Sequence, residues 1–523
     1  MLRSWKNAPG APAPQIMTDD TVDLLGLIGR HAASNPGREA VTDLNRRLTY
    51  GELHSEVRAV AGHLCDAGVE EGDRVALGMG NSVDFVVAAL ACAWVGAIFV
   101  PIASGDPPAR LRLVLESCEP RAVLSPPDVL GPGAFLRITM DDARRSSRPC
   151  PPPLPARDRP AYCIYTSGTT GSPKGVVTGQ AAFAEATSLV IDAMGIHEAT
   201  RALCVSPVHF VGSFATVFPI IAAGGTLVIP PRDQLFLPRM FFRVLASEEI
   251  THTSFSPTYL RLLLGSAQVE QLAASSLVTM GLGGESLTVG DLRSLFRAAP
   301  DLAVFNRYGQ TETTGIVTAW PVHPESLSGN GSVPIGRPSK GNSFLIVGDD
   351  GCVIDAAGEV GELYVGGHQL MAGYWRDPEL TAAVLRDDVV AGATLYRTGD
   401  LVYRDDAGVY FLVGRRDRMV KRSGVRISLS EVAAALCDLE PVSAAVCTPY
   451  DDDGQLAIAA FVTTRGHASG RDIRLAASAV LPATMLPDRV EIVDVLPMTS
   501  GSKVDERVLL AGAGLTLARE VVT

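Results

Sequence analysis

Apolar positions along this chain alternate between two spacings. Val57–Ala67 repeats them at helical intervals, Arg74–Gly78 is a short apolar run that reads as a strand, and Val83–Trp94 returns to helical spacing. The longest apolar run, Phe85 to Val100, falls short of the roughly 18 residues a membrane span needs. It reads as a buried helix running into a strand. The alternation persists through most of the chain and predicts an α/β protein with parallel sheets covered by helices.

Breaks in the pattern divide the chain. The Pro- and Arg-rich stretch from Ser146 to Pro160 must be a loop, and a new substructure is expected behind it. The pattern changes again near GRRDR, Gly414 to Arg418. A large domain over residues 21–413 and a small α+β domain over residues 418–523 are therefore expected, with residues 1–20 as a flexible tail. Little follows Asp505, so no carrier or thioesterase module is expected behind it.

With 523 residues, 47% of them hydrophobic, the chain can bury several cores. A net charge of -12 disfavours general attraction to nucleic acid or to an anionic membrane, so an anionic cofactor needs a local site. The nine cysteines stand singly, without a Cys-x-x-Cys pair or metal-ligand spacing, as expected of reduced and mostly buried thiols. The N-terminus lacks the apolar stretch of a secretory signal, and a cytoplasmic protein is expected.

The segment YTSGTTGSPKG, Tyr165 to Gly175, crowds hydroxyls, glycines and a lysine into one loop. Glycines let backbone N–H groups approach a polyphosphate, Thr166, Ser167, Thr169 and Thr170 offer O–H donors, and Lys174 brings positive charge. An ordinary Gly/Ser/Thr-rich loop is the alternative. The lysine spacing differs from a Walker A loop, and no Ser/Thr follows the lysine. The string closely resembles the phosphate-binding signature of the adenylate-forming superfamily, which holds acyl-CoA synthetases, peptide-synthetase adenylation domains and firefly luciferase. Seven further segments resemble that superfamily in its expected order: LTYGEL from Leu48, GGESL from Gly283, NRYGQTETTG from Asn306, GELYVGG from Gly361, YRTGDL from Tyr396, GRRDRMVKRSGVRISLSEV from Gly414 and LPMTSGSKVD from Leu496. One departure is Gln180, where the family often has His.

The resemblance implies attack of a carboxylate on the α-phosphate of ATP with loss of pyrophosphate, a step that needs charge neutralised more than it needs acid–base groups. By motif matching, Lys503, Thr166, Lys174 and Glu312 are the expected catalytic residues, Glu312 holding Mg2+. Ser167, Gly168, Thr169, Thr170, Gly171, Gly283, Gly284, Glu285, Gly309, Gln310 and Thr311 are expected around the nucleotide, with Thr311 on phosphate. Tyr308 would stack on adenine, Asn306 would bond its amino edge, Asp400 would accept from the ribose hydroxyls, and Arg415 would stand beside the nucleotide. The small domain is expected to rotate about a hinge at 414–417, with Asp417 as pivot, and Gly424 to line a tunnel for a phosphopantetheine thiol. The whole account requires the loop near residue 170 and Lys503 to converge on one nucleotide.

The same matching places His209, Phe210, Val211, Gly212, Ala215, Ser254, Gly281, Arg307, Gly315 and Ile316 along the acyl pocket. Amino-acid-activating relatives carry an Asp for the substrate ammonium where this chain has Val211, which argues against a standard α-amino acid. Gly212, Ala215, Ser254, Gly281 and Gly315, together with Gly283, are small, leaving room for an aryl or extended acyl group. Arg307 is the odd member. A buried guanidinium there would seek a carboxylate, phenolate or carbonyl, and the alternative is that it turns to solvent or pairs with a protein carboxylate. His209 resembles a P-x-x-H of acyl-CoA synthetases with one residue missing.

The leading expectation is a ligase that forms an acyl-adenylate and passes it to the phosphopantetheine thiol of a carrier protein, or alternatively to free CoA. Transfer of the adenylate directly to an amine is a further alternative, and a luciferase-like oxygenase another. A non-catalytic nucleotide-binding regulator is disfavoured because Lys174, Glu312, Asp400, Asp417 and Lys503 are all retained.

Overall fold

The structure is a computed structural model that describes residues 23–106, 108–126, 135–145, 152, 159–167, 173–235, 237–327, 333–416, 419–422, 425–452, 455–481, 485–499 and 504–518. The expected helices form, with shifted ends. The first begins at Tyr50 rather than near Val57, because Thr49 and Glu52 make a reciprocal capping box, and it runs to Asp66. The apolar run from Phe85 resolves into the helix Val83–Val95, capped by Ser82 and closed by Gly96 in the left-handed region, followed by the strand Ile98–Pro101.

Two mixed sheets carry most of the chain. One has eight strands, in the order 318–322, 303–308, 279–283, 252–255, 201–204, 226–228, 39–42 and 47–49. Its inner pairings are parallel and only its two edge pairings are antiparallel. The other has seven strands, with the hairpin Pro160–Ser167 and Pro173–Gly179 antiparallel beside a parallel run. Crossover helices bury both faces, so inner strands such as Ile98–Pro101 are apolar throughout.

A third sheet departs from the expected parallel pattern. Its six strands, among them Asn342–Val347, Gly361–Gly367, Ala393–Arg404 and Tyr410–Arg415, pair antiparallel, most of them joined without a crossover helix. Beyond it the chain builds a smaller unit. The long hairpin of Val442–Asp452 and Gln455–Thr464 is flanked by Arg489–Ile492 and Thr516–Leu517, with helices Leu429–Cys437, Gly470–Ala477 and Glu506–Gly512. This unit has cores of its own, around Ile427, Leu436, Ile458 and Ile473 and around Tyr450, Phe461 and Leu510. The architecture is thus α/β, with a large N-terminal and a smaller C-terminal domain.

The core that matters for the site is aromatic. Phe99, Tyr162, Phe183, Phe214 and Phe218 pack with centroids 4.8–6.1 Å apart, half of the contacts edge to face and half tilted. Phe214 and Phe218 belong to the helix Val211–Ala222, so this cluster holds the helix that carries three of the expected pocket residues. Among the described residues eight cysteines are free thiols, five of them buried, and no cluster of three metal-ligating side chains occurs. No helix among those residues is long and apolar enough to cross a membrane.

Candidate nucleotide and acyl site

Motif segments far apart in sequence meet at the ends of the strands. Asn306 and Tyr308 share one face of the strand Ala303–Tyr308. Asn306 donates from Nδ2 to the Pro334 carbonyl at 2.7 Å, which fixes the amide with its acceptor oxygen on the other side. The Tyr308 hydroxyl donates to Asp400 Oδ2 at 2.6 Å, and Gln310 Nε2 donates to the same oxygen at 2.7 Å. Gln310 also donates to the Thr398 carbonyl and accepts from the Tyr396 hydroxyl at 2.7 Å. Arg415, opposite Asp400 in register, lies 3.4 Å from Oδ1. The Asp400 carboxylate, 4% exposed, is therefore held from both sides. Burial, reinforced by this negative charge, pushes the Tyr308 phenol well above its ordinary value, so it stays a donor. The ring expected against adenine is thus also a buried strut for Asp400, packed edge-on against Phe344.

The loop after Tyr308 turns sharply. A side chain at Gly309 would meet the Gly315 carbonyl oxygen at 2.3 Å, and Thr314 and Gly315 take positive φ of 57° and 95°. This turn presents Thr311 and Glu312 on a short 3-10 segment. Glu312 Oε1 accepts from the Tyr374 hydroxyl at 2.8 Å, and Lys174 Nζ lies 5.9 Å from the centre of the Tyr374 ring. Lys174 pairs across the hairpin with Thr166, which is half-buried. Thr166, Lys174 and Glu312 thus stand on connected elements, joined by a tyrosine that no quoted motif contains. Tyr396 was also missed as a contact, although it opens the YRTGDL segment.

Gly283 closes the strand Thr279–Gly283, and Gly284 follows at φ 85° with open space around it. The Glu285 carboxylate accepts from the backbone N–H and hydroxyl of Thr258, at 3.0 and 2.6 Å, at the start of the helix Pro257–Leu264. Of the remaining expected residues, Ser167 is described only through its backbone pairing with Pro173. Gly168, Thr169, Thr170, Gly171, Asp417, Gly424 and Lys503 lie outside the described residues.

On the acyl side, Ser254 and Gly281 pair in register, as do Gly283 and Arg307, so these four share one sheet face. Facing them, the chain from His209 and Phe210 enters the helix that carries Val211, Gly212 and Ala215. Val211 Cγ2 lies 3.0 Å from where a side chain at Gly315 would begin. Ala215 and Ile316 line a residual void of about 10 Å³ with Phe183, Thr187 and Phe214, room for roughly one water. Arg307 is 8% exposed, and no protein carboxylate pairs with it among the described residues, so neither expected alternative holds. A larger cavity of about 410 Å³, bordered by Ser343, His368 and Leu395, is lined by none of the candidate residues.

The family model "AMP-binding enzyme" matches residues 28–375, two thirds of the chain. The chain belongs to that family. This AMP-binding enzyme is 35% identical to phenyloxazoline synthase MbtB of Mycobacterium sp. (strain MCS), over 92% of its own length and 41% of that protein. It is 30% identical to malpinin synthetase of Mortierella alpina, over 99% of its length and 7% of that protein, so it spans less than half of these curated relatives. Among solved structures it resembles a four-domain nonribosomal peptide synthetase bound to AMP and glycine, at 25% identity and TM-score 0.82, over 93% of this chain and 36% of that one. The fold is also shared with Klebsiella oxytoca NpsA in complex with 3-hydroxyanthranilyl-AMSN, at 24% identity and TM-score 0.83, over 94% and 99% of the two chains. The adenylate-forming superfamily named from the motifs is the one these relatives represent.

Proposed function

We propose that this enzyme converts a carboxylic acid other than a standard α-amino acid into an acyl-adenylate, releasing pyrophosphate, and passes the acyl group to a carrier-protein phosphopantetheine thiol. The observation that carries this reading is the meeting of Asp400, Tyr308, Gln310 and Arg415 beside the turn that bears Glu312 and the hairpin that bears Lys174. A buried carboxylate fixed by two donors suits hydroxyl recognition on a ribose. Arg415 and Lys174 supply positive charge for phosphate oxygens, and Asn306 offers an amide to an adenine amino group.

Glu312 fits a magnesium ion, since that ion is commonly bound by one or two carboxylates together with substrate phosphates. Bound there, the ion would neutralise charge on the nucleotide. The rest of the chemistry is positioning, because in-line attack by a carboxylate needs alignment and charge stabilisation rather than a base. Val211, in the place of an ammonium-binding carboxylate, supports an acid without an α-ammonium. A carrier protein as acceptor is supported by the peptide-synthetase relatives, and free CoA is the competing acceptor.

ATP–pyrophosphate exchange across monocarboxylic, dicarboxylic, aryl and amino acids tests the reading, followed by acyl transfer to a phosphopantetheinylated carrier protein or to CoA. Release of ADP and phosphate, or exchange driven best by a standard α-amino acid, would refute it.

A further inference from the structure

The Arg307 guanidinium is buried without an acid beside it. Its Nε and Nη1 have no hydrogen-bond partner among the described residues, and burial alone pushes its pKa down to about 10. It is still charged at neutral pH, so deprotonation does not relieve the burial. Other inward-facing arginines of this protein are treated differently: Arg261 is clamped by Asp291 at 2.8 Å, and Arg201 by Glu248 at 3.0 Å. A buried cation with no partner is strongly destabilising, and such a group is a candidate for completion by a ligand.

The surroundings form a cradle. A side chain begun at Gly281 would stand 2.7 Å from Arg307 Nε, 2.9 Å from its Cζ and 2.7 Å from Ser254 Oγ. The guanidinium and the Ser254 hydroxyl therefore lie together against the bare face of Gly281, in room that a side chain at 281 would take. Both are donors held at one place on the acyl side. Compared with a pocket built for an ammonium, the polarity is inverted: a neutral Val211 on the helix and a cation on the sheet.

We propose that the acid activated by this enzyme carries a second oxyanion, and that Arg307, with Ser254 beside it, is the specificity residue that pairs with that group. The inference rests on the adenylation reading, in which the first carboxylate is consumed at phosphorus and the second stays in the pocket. A carboxylate forked across Nη1 and Nη2, or across Nε and Nη2, would partner one of the two orphaned nitrogens and neutralise the buried charge. A phenolate on an aryl acid offers the same charge at a single oxygen.

The test is ATP–pyrophosphate exchange with matched pairs of acids. Malonate, succinate and phthalate are compared with their monomethyl esters, and salicylate and 3-hydroxybenzoate with benzoate. The native enzyme, Arg307→Met, Arg307→Lys and Gly281→Ala are each assayed, and the unliganded proteins are melted. The native enzyme should favour the dicarboxylate over its ester or the hydroxybenzoate over benzoate in at least one series, and the responding series tells a second carboxylate from a phenol that ionises beside Arg307. In Arg307→Met, the ratio of kcat/KM for charged over neutral acid should fall about 10- to 150-fold, the range of a charged hydrogen bond. Arg307→Lys should recover part of that ratio and Gly281→Ala should lose it, because its methyl displaces the guanidinium and the Ser254 hydroxyl. Unliganded Arg307→Met should melt no lower than the native protein, since the substitution removes an unpaired buried charge. A native preference for neutral members, a ratio unchanged in Arg307→Met, or a melting point several degrees lower would each overturn the proposal. Exchange with neutral acids alone defeats this inference and spares adenylation, whereas no exchange with any acid defeats both.

Discussion

Asp400→Asn probes the nucleotide side with almost no change in shape. The carboxylate takes two donors on Oδ2, from Tyr308 and Gln310, and faces Arg415 with Oδ1. Asparagine has one acceptor oxygen and one NH2 group. If its oxygen meets Tyr308 and Gln310, its NH2 confronts the guanidinium; if it flips, its NH2 confronts two donors. A hydrogen bond to a charged acceptor is worth about 1.5–3 kcal/mol and a neutral one about 0.5–1.5. Weakening two of them costs about 2–3 kcal/mol, and the half-exposed Arg415 adds less than about 1 because water screens it. We expect a loss of about 2–4 kcal/mol in urea unfolding of the large domain, together with a raised KM for ATP in pyrophosphate exchange. A double-mutant cycle with Tyr308→Phe should show coupling of about 1 kcal/mol or more. Simple additivity, or an unfolding midpoint that does not move, would refute the claim that these groups act as one network.

Four shorter predictions follow from other contacts. Asp291→Ala strands the partly buried Arg261 and deletes the Thr288–Asp291 capping box, so a loss of about 2–4 kcal/mol is expected in urea unfolding. Gly309→Ala forces its methyl toward the Gly315 carbonyl and should cut pyrophosphate exchange more than tenfold while leaving the circular dichroism spectrum unchanged. Burial lowers the His252 pKa in the fold, so its contribution to stability is complete above its unfolded value of about 6.5 and is lost as the pH falls through the folded value. His252→Gln should flatten that acid-side slope in melting temperature. Tyr308 is shifted the other way: its contribution is complete below about pH 10 and is lost as the pH rises further, and Tyr308→Phe should soften alkaline unfolding.

Periodicity exposed much of the large domain, because helices and buried strands leave distinct spacings in sequence; Phe85 to Val100 split into helix and strand as expected. The third sheet was not foreseen, since short antiparallel strands with half-exposed faces such as Ala393–Arg404 leave a weak signal. Nucleotide-side residues could be named from motifs, but not their mutual use. Tyr308 and Asp400 are 92 positions apart, and only the pairing of distant segments brings the phenol onto the carboxylate. Tyr374 escaped notice for the same reason, being meaningful only through Glu312 and Lys174. Sequence left the Arg307 side chain with a polar group in the acyl pocket as its partner, or, as alternatives, solvent or a protein acid. Neither alternative occurs among the described residues, because strand register places it beside Gly281 and Ser254, both uncharged.

The crossing of Arg307 over Gly281 also constrains how substrate preference in this lineage could change. A side chain at 281 would displace the Arg307 guanidinium from its present place, so the effect of changing either position depends on the other. Laboratory libraries that randomise one of these codons at a time would therefore miss functional pairs that simultaneous randomisation recovers.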